Sequence, residues 1–361
     1  MPLIWCSISG HGFGHAAQVV PVLNELGRRL RDVTALLNTS VPASFFQPRL
    51  KIPWRLTPAQ QDIGCIQRGP LRIDVPATWE AHRRFHSQWD ERVAREAAAI
   101  QRAAPALVLS DISHMATAAG AAARVPTVAL CSLSWDVVLE FYARPGDAEE
   151  HGMIQHIREA YAGAECLIRP SPGVPVKAFR KVVDVEAICE PHAPRPGDLR
   201  AALHVPESER LVLVGFGGIA QHELPYSLLD SMPPFRFLVD AAVPSGLMRV
   251  QSIKDLAWPF HSLLSSVDLI MTKPGYGTIV EAVALQTPVV YVRRYHFADE
   301  QVLVDYLHRH GRGAELSMED FMAGRWTDGL TAAGQAPPPR HPAPAPTGAS
   351  EAASFLQPYL Q

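Results

Sequence analysis

At 361 residues the chain is long enough for two ordinary domains, and 47% hydrophobic residues are enough for full cores. A net charge of −3 gives no global pull toward nucleic acid. The five cysteines are scattered and contain no Cys-x-x-Cys pair, which disfavours a disulfide framework or a zinc site and points to reduced thiols in a cytoplasmic protein.

Leu3 to Ser9 reads as a first strand that runs into a glycine–histidine loop, Gly10-His-Gly-Phe-Gly-His15. Val19, Val20, Leu23, Leu26 and Leu30 then share one face of a helix. Val33 to Asn38 is a second strand. The proline-rich stretch after it is irregular, with a short strand expected near Leu71 to Val75. Thr78 to Ala104 reads as one long helix. Its residues Trp79, His82, Phe85, His86 and Trp89 fall at helical spacing, either as an ordinary core face or as an aromatic acceptor platform. Ala106 to Ser110 is a strand ending at Asp111. It is followed by an alanine-rich helix (His114 to Arg124), a strand from Pro126 to Cys131, partly helical residues 136–163, and a strand from Glu165 to Arg169.

Residues 190–200 are rich in proline and read as the linker. Alternation restarts with the strand Leu211 to Gly215, the turn Gly217-Gly218 and the strand Phe235 to Asp240. A short helix from Phe260 leads to an apolar run, Leu269 to Met271, and then to a glycine turn with Gly275 and Gly277. A helix from about Thr278 to Leu285 follows, broken by Thr287-Pro288, and Val289 to Val292 starts another strand. Glu300 to His310 is a helix. Residues 335–349 carry a Pro-Pro-Pro run and read as an extended tether, and residues 350–361 as a closing helix. The whole is an α/β chain with two doubly wound, Rossmann-like halves facing a cleft. The boundaries are residues 1–195 and 196–334. The start has no basic region before an apolar run, and no stretch of about 18 apolar residues occurs. Peripheral contact with the inner face of a membrane is left open.

Three places carry chemistry. The turn at Gly275 to Thr278 offers bare N–H groups and a helix N-terminus at the carboxyl end of a strand, which favours a phosphate. Glu281 lies one turn into that helix, where a sugar hydroxyl could meet it. His15 sits at the junction of the first loop and its helix, where a neutral imidazole could accept a proton from a hydroxyl. Asp111, at the end of a strand near that loop, could hold the imidazole in its tautomer or could simply cap the next helix. His11, Gly12 and Gly14 are loop contacts. Gly12-x-Gly14-x-x-Ala17 and Gly215-x-Gly217-x-x-Ala220 match a relaxed dinucleotide fingerprint. The first has Asn38-Thr39-Ser40 where an acidic residue belongs; the second is followed by Asp240. No Gly-x-x-x-x-Gly-Lys-Ser/Thr run supports a kinase.

Together, Gly14-His15, Ser110-Asp111, Gly217-Gly218 and Pro274-Gly-Tyr-Gly-Thr followed by Glu281-Ala and Thr287-Pro288 resemble the GT-B glycosyltransferases. The likeness is to the UDP-sugar-dependent branch, with the peptidoglycan N-acetylglucosaminyltransferase and the antibiotic and plant glucosyltransferases. The opening Ser-Gly-His-Gly-Phe-Gly-His-Ala is also similar to the glycosyltransferase-like module fused to some sugar kinases. The resemblance covers roughly residues 1–320. It implies an inverting transferase that moves a sugar from a nucleotide diphosphate sugar to an acceptor hydroxyl, with the acceptor in the first domain. It implies His15 as general base and Asp111 as its partner. The diphosphate would fall at Gly275, Tyr276, Gly277 and Thr278, the ribose at Glu281, and the donor sugar at Glu300-Gln301, next to Asp299. Gly217 and Gly218 would open the donor site, and Lys273 would add charge beside the diphosphate.

The plant-type tryptophan and histidine signature is absent, and Lys273-Pro274 precedes the turn where many members have a small polar residue. No Asp-x-Asp motif occurs, so neither metal nor cofactor is expected. The expected partners are the nucleotide-sugar donor and an acceptor that the residues do not name. Two other readings share the architecture: a nucleotide-sugar 2-epimerase and a non-catalytic nucleotide-sugar-binding module.

Overall fold

A computed structural model describes residues 2–216 and 224–361. The first sheet has seven strands: β1 (Leu3–Ile8), β2 (Thr34–Thr39), β3 (Trp54–Pro58), β4 (Leu107–Asp111), β5 (Thr127–Leu130), β6 (Cys166–Pro170) and β7 (Val182–Val185). The second has six: β8 (Arg210–Val214), β9 (Phe235–Val239), β10 (Val250–Ser252), β11 (Leu269–Thr272), β12 (Val289–Tyr291) and β13 (Gly313–Glu315). Every strand pair in both sheets is parallel. The central strands are continuous apolar runs because helices cover both faces; β4 is buried along its whole length.

Strand order is β3-β2-β1-β4-β5-β6-β7 in the first sheet and β10-β9-β8-β11-β12-β13 in the second. Each order reverses once, between β1 and β4 and between β8 and β11. Loops leaving the carboxyl ends of strands on either side of a reversal diverge and open a crevice. The Gly10–His15 loop and Asp111 flank the first crevice, and the turn after β11 borders the second.

Several elements differ from the sequence reading. The long helix is two, Val75–His86 and Trp89–Ala103. Gln88, at φ −119° and ψ 28°, leaves helical geometry, and the Ser87 hydroxyl donates to the Arg84 carbonyl. No strand forms at Leu71 to Val75; Asp74 caps the helix there by accepting from the Ala77 amide at 3.1 Å. The strand of that region is β3, an edge strand that tolerates its terminal Pro58. The edge strands β7, β10 and β13, three or four residues long, gave no periodicity to read. Of the linker at residues 190–200, only residues 190–195 are without a helix; Pro196 starts the helix Pro196–Leu203, where its missing N–H is harmless. The aromatic stripe is core: Trp79, His82 and Phe85 are buried.

The tether, residues 336–347, carries no helix or strand and leads to the helix Gly348–Leu356. That helix returns to the first sheet, where Ala349, Ala352, Ala353 and Leu356 join the core beneath the helix Phe13–Arg29. Arg29 fastens it, donating to the Ser354 hydroxyl at 2.6 Å and the Ser350 carbonyl at 2.9 Å. Gly348 is needed there, because a Cβ would stand 1.9 Å from the Glu186 carbonyl oxygen.

Candidate active site

Between the sheets lies a cleft of about 440 Å3, lined from the first domain by His11, Gly12, Gly14, His15, Phe45, Arg49 and Trp135, and from the second by Asp240, His261, Lys273, Gly275, Tyr276, Gly277, Thr278, Glu281, Arg294 and Asp299.

Gly12, at φ 85°, turns the chain from β1 into the helix Phe13–Arg29 and places His15 in its first turn. His15 Nδ1 lies 3.1 Å from Asp111 Oδ1. A carboxylate only accepts, so Nδ1 carries the proton and Nε2 is left for the cleft. β1 and β4 are in register with Ile8 beside Asp111, and the Ser9 amide donates to Asp111 Oδ2 at 3.3 Å. Ser9 also donates its hydroxyl to Asp62 at 2.9 Å, and the Trp135 indole donates to the other Asp62 oxygen at 2.8 Å. Burial disfavours a charged His15, but the charge and hydrogen bond of Asp111 outweigh it and hold the imidazole well above its ordinary range. Burial raises Asp62 to about 6. His11 contacts the Cys65 carbonyl at 2.9 Å, and burial, then the charge of His15, push it down to about 3. It is a neutral wall residue.

Among the described residues, one group of three potential metal-ligand atoms falls within 4.8 Å: His15, Asp111 and Cys131. Its closest contact is the His15–Asp111 hydrogen bond.

On the opposite wall, the helix Tyr276–Leu285 starts with no side-chain cap and no acid in its first turn. Its free N–H groups keep their attraction for an anion. A Cβ on Gly277 would meet nothing within 4 Å, so the approach to the helix end is open. Lys273 stands beside this end. Burial, then repulsion from Arg294, lower its ammonium to about 7. Glu281 is 3% exposed; Oε2 meets His261 Nδ1 at 2.7 Å, while buried Oε1 has no partner.

Three of the expected residues have their side chains engaged within the protein. Tyr276 lines the cleft, but its hydroxyl donates to the Ser171 carbonyl at 2.9 Å and accepts from the Ile188 amide at 3.0 Å. It ties the domains together instead of presenting a hydroxyl to a ligand. Glu300 is turned inward, taking the Arg294 guanidinium at 2.6 Å and the Arg294 and Tyr295 amides at 3.0 Å each. Gln301 is on the exposed side of its helix, between Arg293 and Asp305. The carboxylate facing the cleft is Asp299, with a buried Oδ1 that has no partner. Burial raises Asp299 to about 6. Gly217 and Gly218 lie outside the described residues. The sequence reading missed Asp62, Trp135, His261 and Arg49. None of these four carried a sequence signal, whereas Asp299 had one as the neighbour of the Glu300-Gln301 pair.

No protein-family model matches the chain. It is 28% identical over 329 residues to L-arabinokinase of Arabidopsis thaliana, a match that covers 89% of this chain and 31% of that protein. The chain therefore spans about a third of the length of this relative. Among solved structures it superposes on UGT89C1 of Arabidopsis thaliana with a TM-score of 0.65, covering 100% of both chains at 13% identity. UGT2 of Phytolacca americana, complexed with UDP-2fluoro-glucose and pterostilbene, gives 0.62 with 99% and 94% covered at 14% identity. The spinosyn forosaminyltransferase SpnP gives 0.60 with 100% and 94% covered at 13% identity. Two parallel sheets with their switch points turned to one cleft, matched along the full length by these structures, give this chain the GT-B fold.

Proposed function

We propose that the protein is an inverting glycosyltransferase that moves a sugar from a nucleotide diphosphate sugar, UDP-linked, to an acceptor hydroxyl. The observation that carries this reading is the opposition of two unlike walls in one cleft. His15, backed by Asp111, lines the same cleft as Lys273, the helix start at Tyr276 and Glu281 within that helix. The diphosphate sits at the free N–H groups and Lys273, the ribose at Glu281, and the sugar near Asp299. The acceptor enters along His11, Phe45 and Trp135. His15 Nε2 takes the acceptor proton, the acceptor oxygen attacks the anomeric carbon from the face opposite the diphosphate, and the bond to the diphosphate breaks. One displacement inverts the configuration. The leaving charge is met by helix dipole and lysine, so no cofactor is needed in this scheme. The relatives' printed ligands, UDP-2fluoro-glucose and UDP-L-rhamnose, support the choice of donor class.

The test is sugar transfer from UDP-sugars across a panel of hydroxyl acceptors, alongside UDP binding. Turnover at the wild-type rate by His15→Ala would remove the base from the scheme. The similarity to a segment of a sugar kinase supports a second reading, nucleotide-sugar binding without transfer. That reading predicts Glu281-dependent UDP binding and no product with any acceptor. Consumption of UDP-N-acetylglucosamine without an acceptor would instead mark a 2-epimerase.

A further inference from the structure

We infer that His261 is a positioning residue for the donor ribose: it holds Glu281 so that one carboxylate oxygen is presented to the ribose hydroxyls. The inference rests on the donor site proposed above and extends it to a residue that never touches the donor's reacting atoms.

Glu281 is 3% exposed, so each of its oxygens requires a partner. Oε2 has one in His261 Nδ1, at 2.7 Å. This contact fixes the proton on Nδ1 and fixes the plane of the carboxylate. Oε1 is buried and has no partner, in a residue that lines the cleft. A single acceptor is thus left over on a cleft-lining carboxylate.

His261 is itself held. It follows Phe260 in the short helix Phe260–Leu264, and the His192 ring stacks on it with centroids 5.6 Å apart and an interplanar angle of 27°. His192 Nδ1 and the Ser262 hydroxyl lie 3.0 Å apart. His192 belongs to the segment that joins the two sheets, between β7 and the helix Pro196–Leu203. The chain of contacts therefore runs from the interdomain segment, through two stacked imidazoles, to the ribose carboxylate.

Removing the His261 ring would leave both Glu281 oxygens buried without partners. The carboxylate must then rotate, draw in water or take up a proton, and each of these weakens its hold on ribose hydroxyls. The bond that breaks in transfer is at the other end of the donor. The loss therefore falls on donor KM and leaves kcat at saturating donor unchanged.

The experiment is calorimetric titration of wild type, His261→Ala and His261→Asn with UDP and with a dideoxy-UDP lacking both ribose hydroxyls, plus donor KM and kcat. His261→Ala weakens UDP about tenfold and leaves the wild-type affinity for the dideoxy analogue unchanged. His261→Asn, whose side-chain amide supplies an N–H near the Nδ1 position, recovers most of the loss. UDP affinity unchanged in His261→Ala overturns the inference, as does an equal loss for both ligands or an asparagine no better than alanine. If the wild type binds none of UDP, TDP or GDP, the donor-site reading falls, and this inference with it.

Discussion

The carboxylates on the two sides of the cleft are treated in opposite ways. On the first domain, Asp111 and Asp62 have both oxygens engaged by His15, Ser9 and Trp135. On the second, Glu281 and Asp299 each keep a buried oxygen without a partner, and the helix end beside Lys273 is uncapped. A satisfied network fixes geometry before substrate arrives, as proton transfer needs. Unsatisfied buried groups cost stability until a ligand completes them, as a binding site needs. On the proposed mechanism, one wall acts and the other holds.

This contrast can be broken by variants on each side. His15→Ala should lower transfer by about a thousandfold while UDP affinity by calorimetry stays within a factor of two or so. Asp111→Asn should lower the rate by about a hundredfold and move the pH profile. Transfer requires neutral His15, so the rate should rise with pH, with a limb above the ordinary histidine range. Without Asp111 burial dominates, and the limb should shift to lower pH; an unmoved limb would detach it from this pair. Glu281→Gln should act in the other sense, weakening UDP about tenfold with kcat at saturating donor retained. Lys273→Met should have a smaller, pH-dependent effect. The ammonium is charged below about 7, so wild-type UDP affinity should fall as pH rises through that region, and the variant should be weaker and flat. The smallest effect should be that of Tyr276→Phe, a loss of about 1 kcal/mol in denaturant titration with kinetics little changed.

The fold was legible because its core strands are unbroken apolar runs and its helices carry a regular stripe. Glu300 to His310 matches its helix residue for residue. The short edge strands were not legible, since their residues are set by pairing with a neighbour far away in sequence. The site was legible in part. Asp111 ends β4 and His15 stands in the first turn of the helix after β1, so both can be located by topology, and their pairing follows from the order β1-β4. Glu300 and Asp299 cannot be told apart this way. Which of two adjacent acids faces the cleft depends on Arg294, whose guanidinium and amide take Glu300 and leave Asp299 to the cleft. Asp62 and Trp135 lie in or beside loops without periodicity, so only the folded chain brings them to Ser9.

The Tyr276 hydroxyl, held by Ser171 and Ile188, has a mechanical consequence. It is the first residue of the helix whose uncapped end lines the cleft, yet it is anchored to the other domain. Any rocking of one domain on the other must either break this anchor or pivot about it. If the anchor holds, the uncapped helix end proposed to seat the leaving group is the fulcrum. Parts of the cleft farther from Tyr276 can then widen while that helix end stays nearly still relative to the first domain.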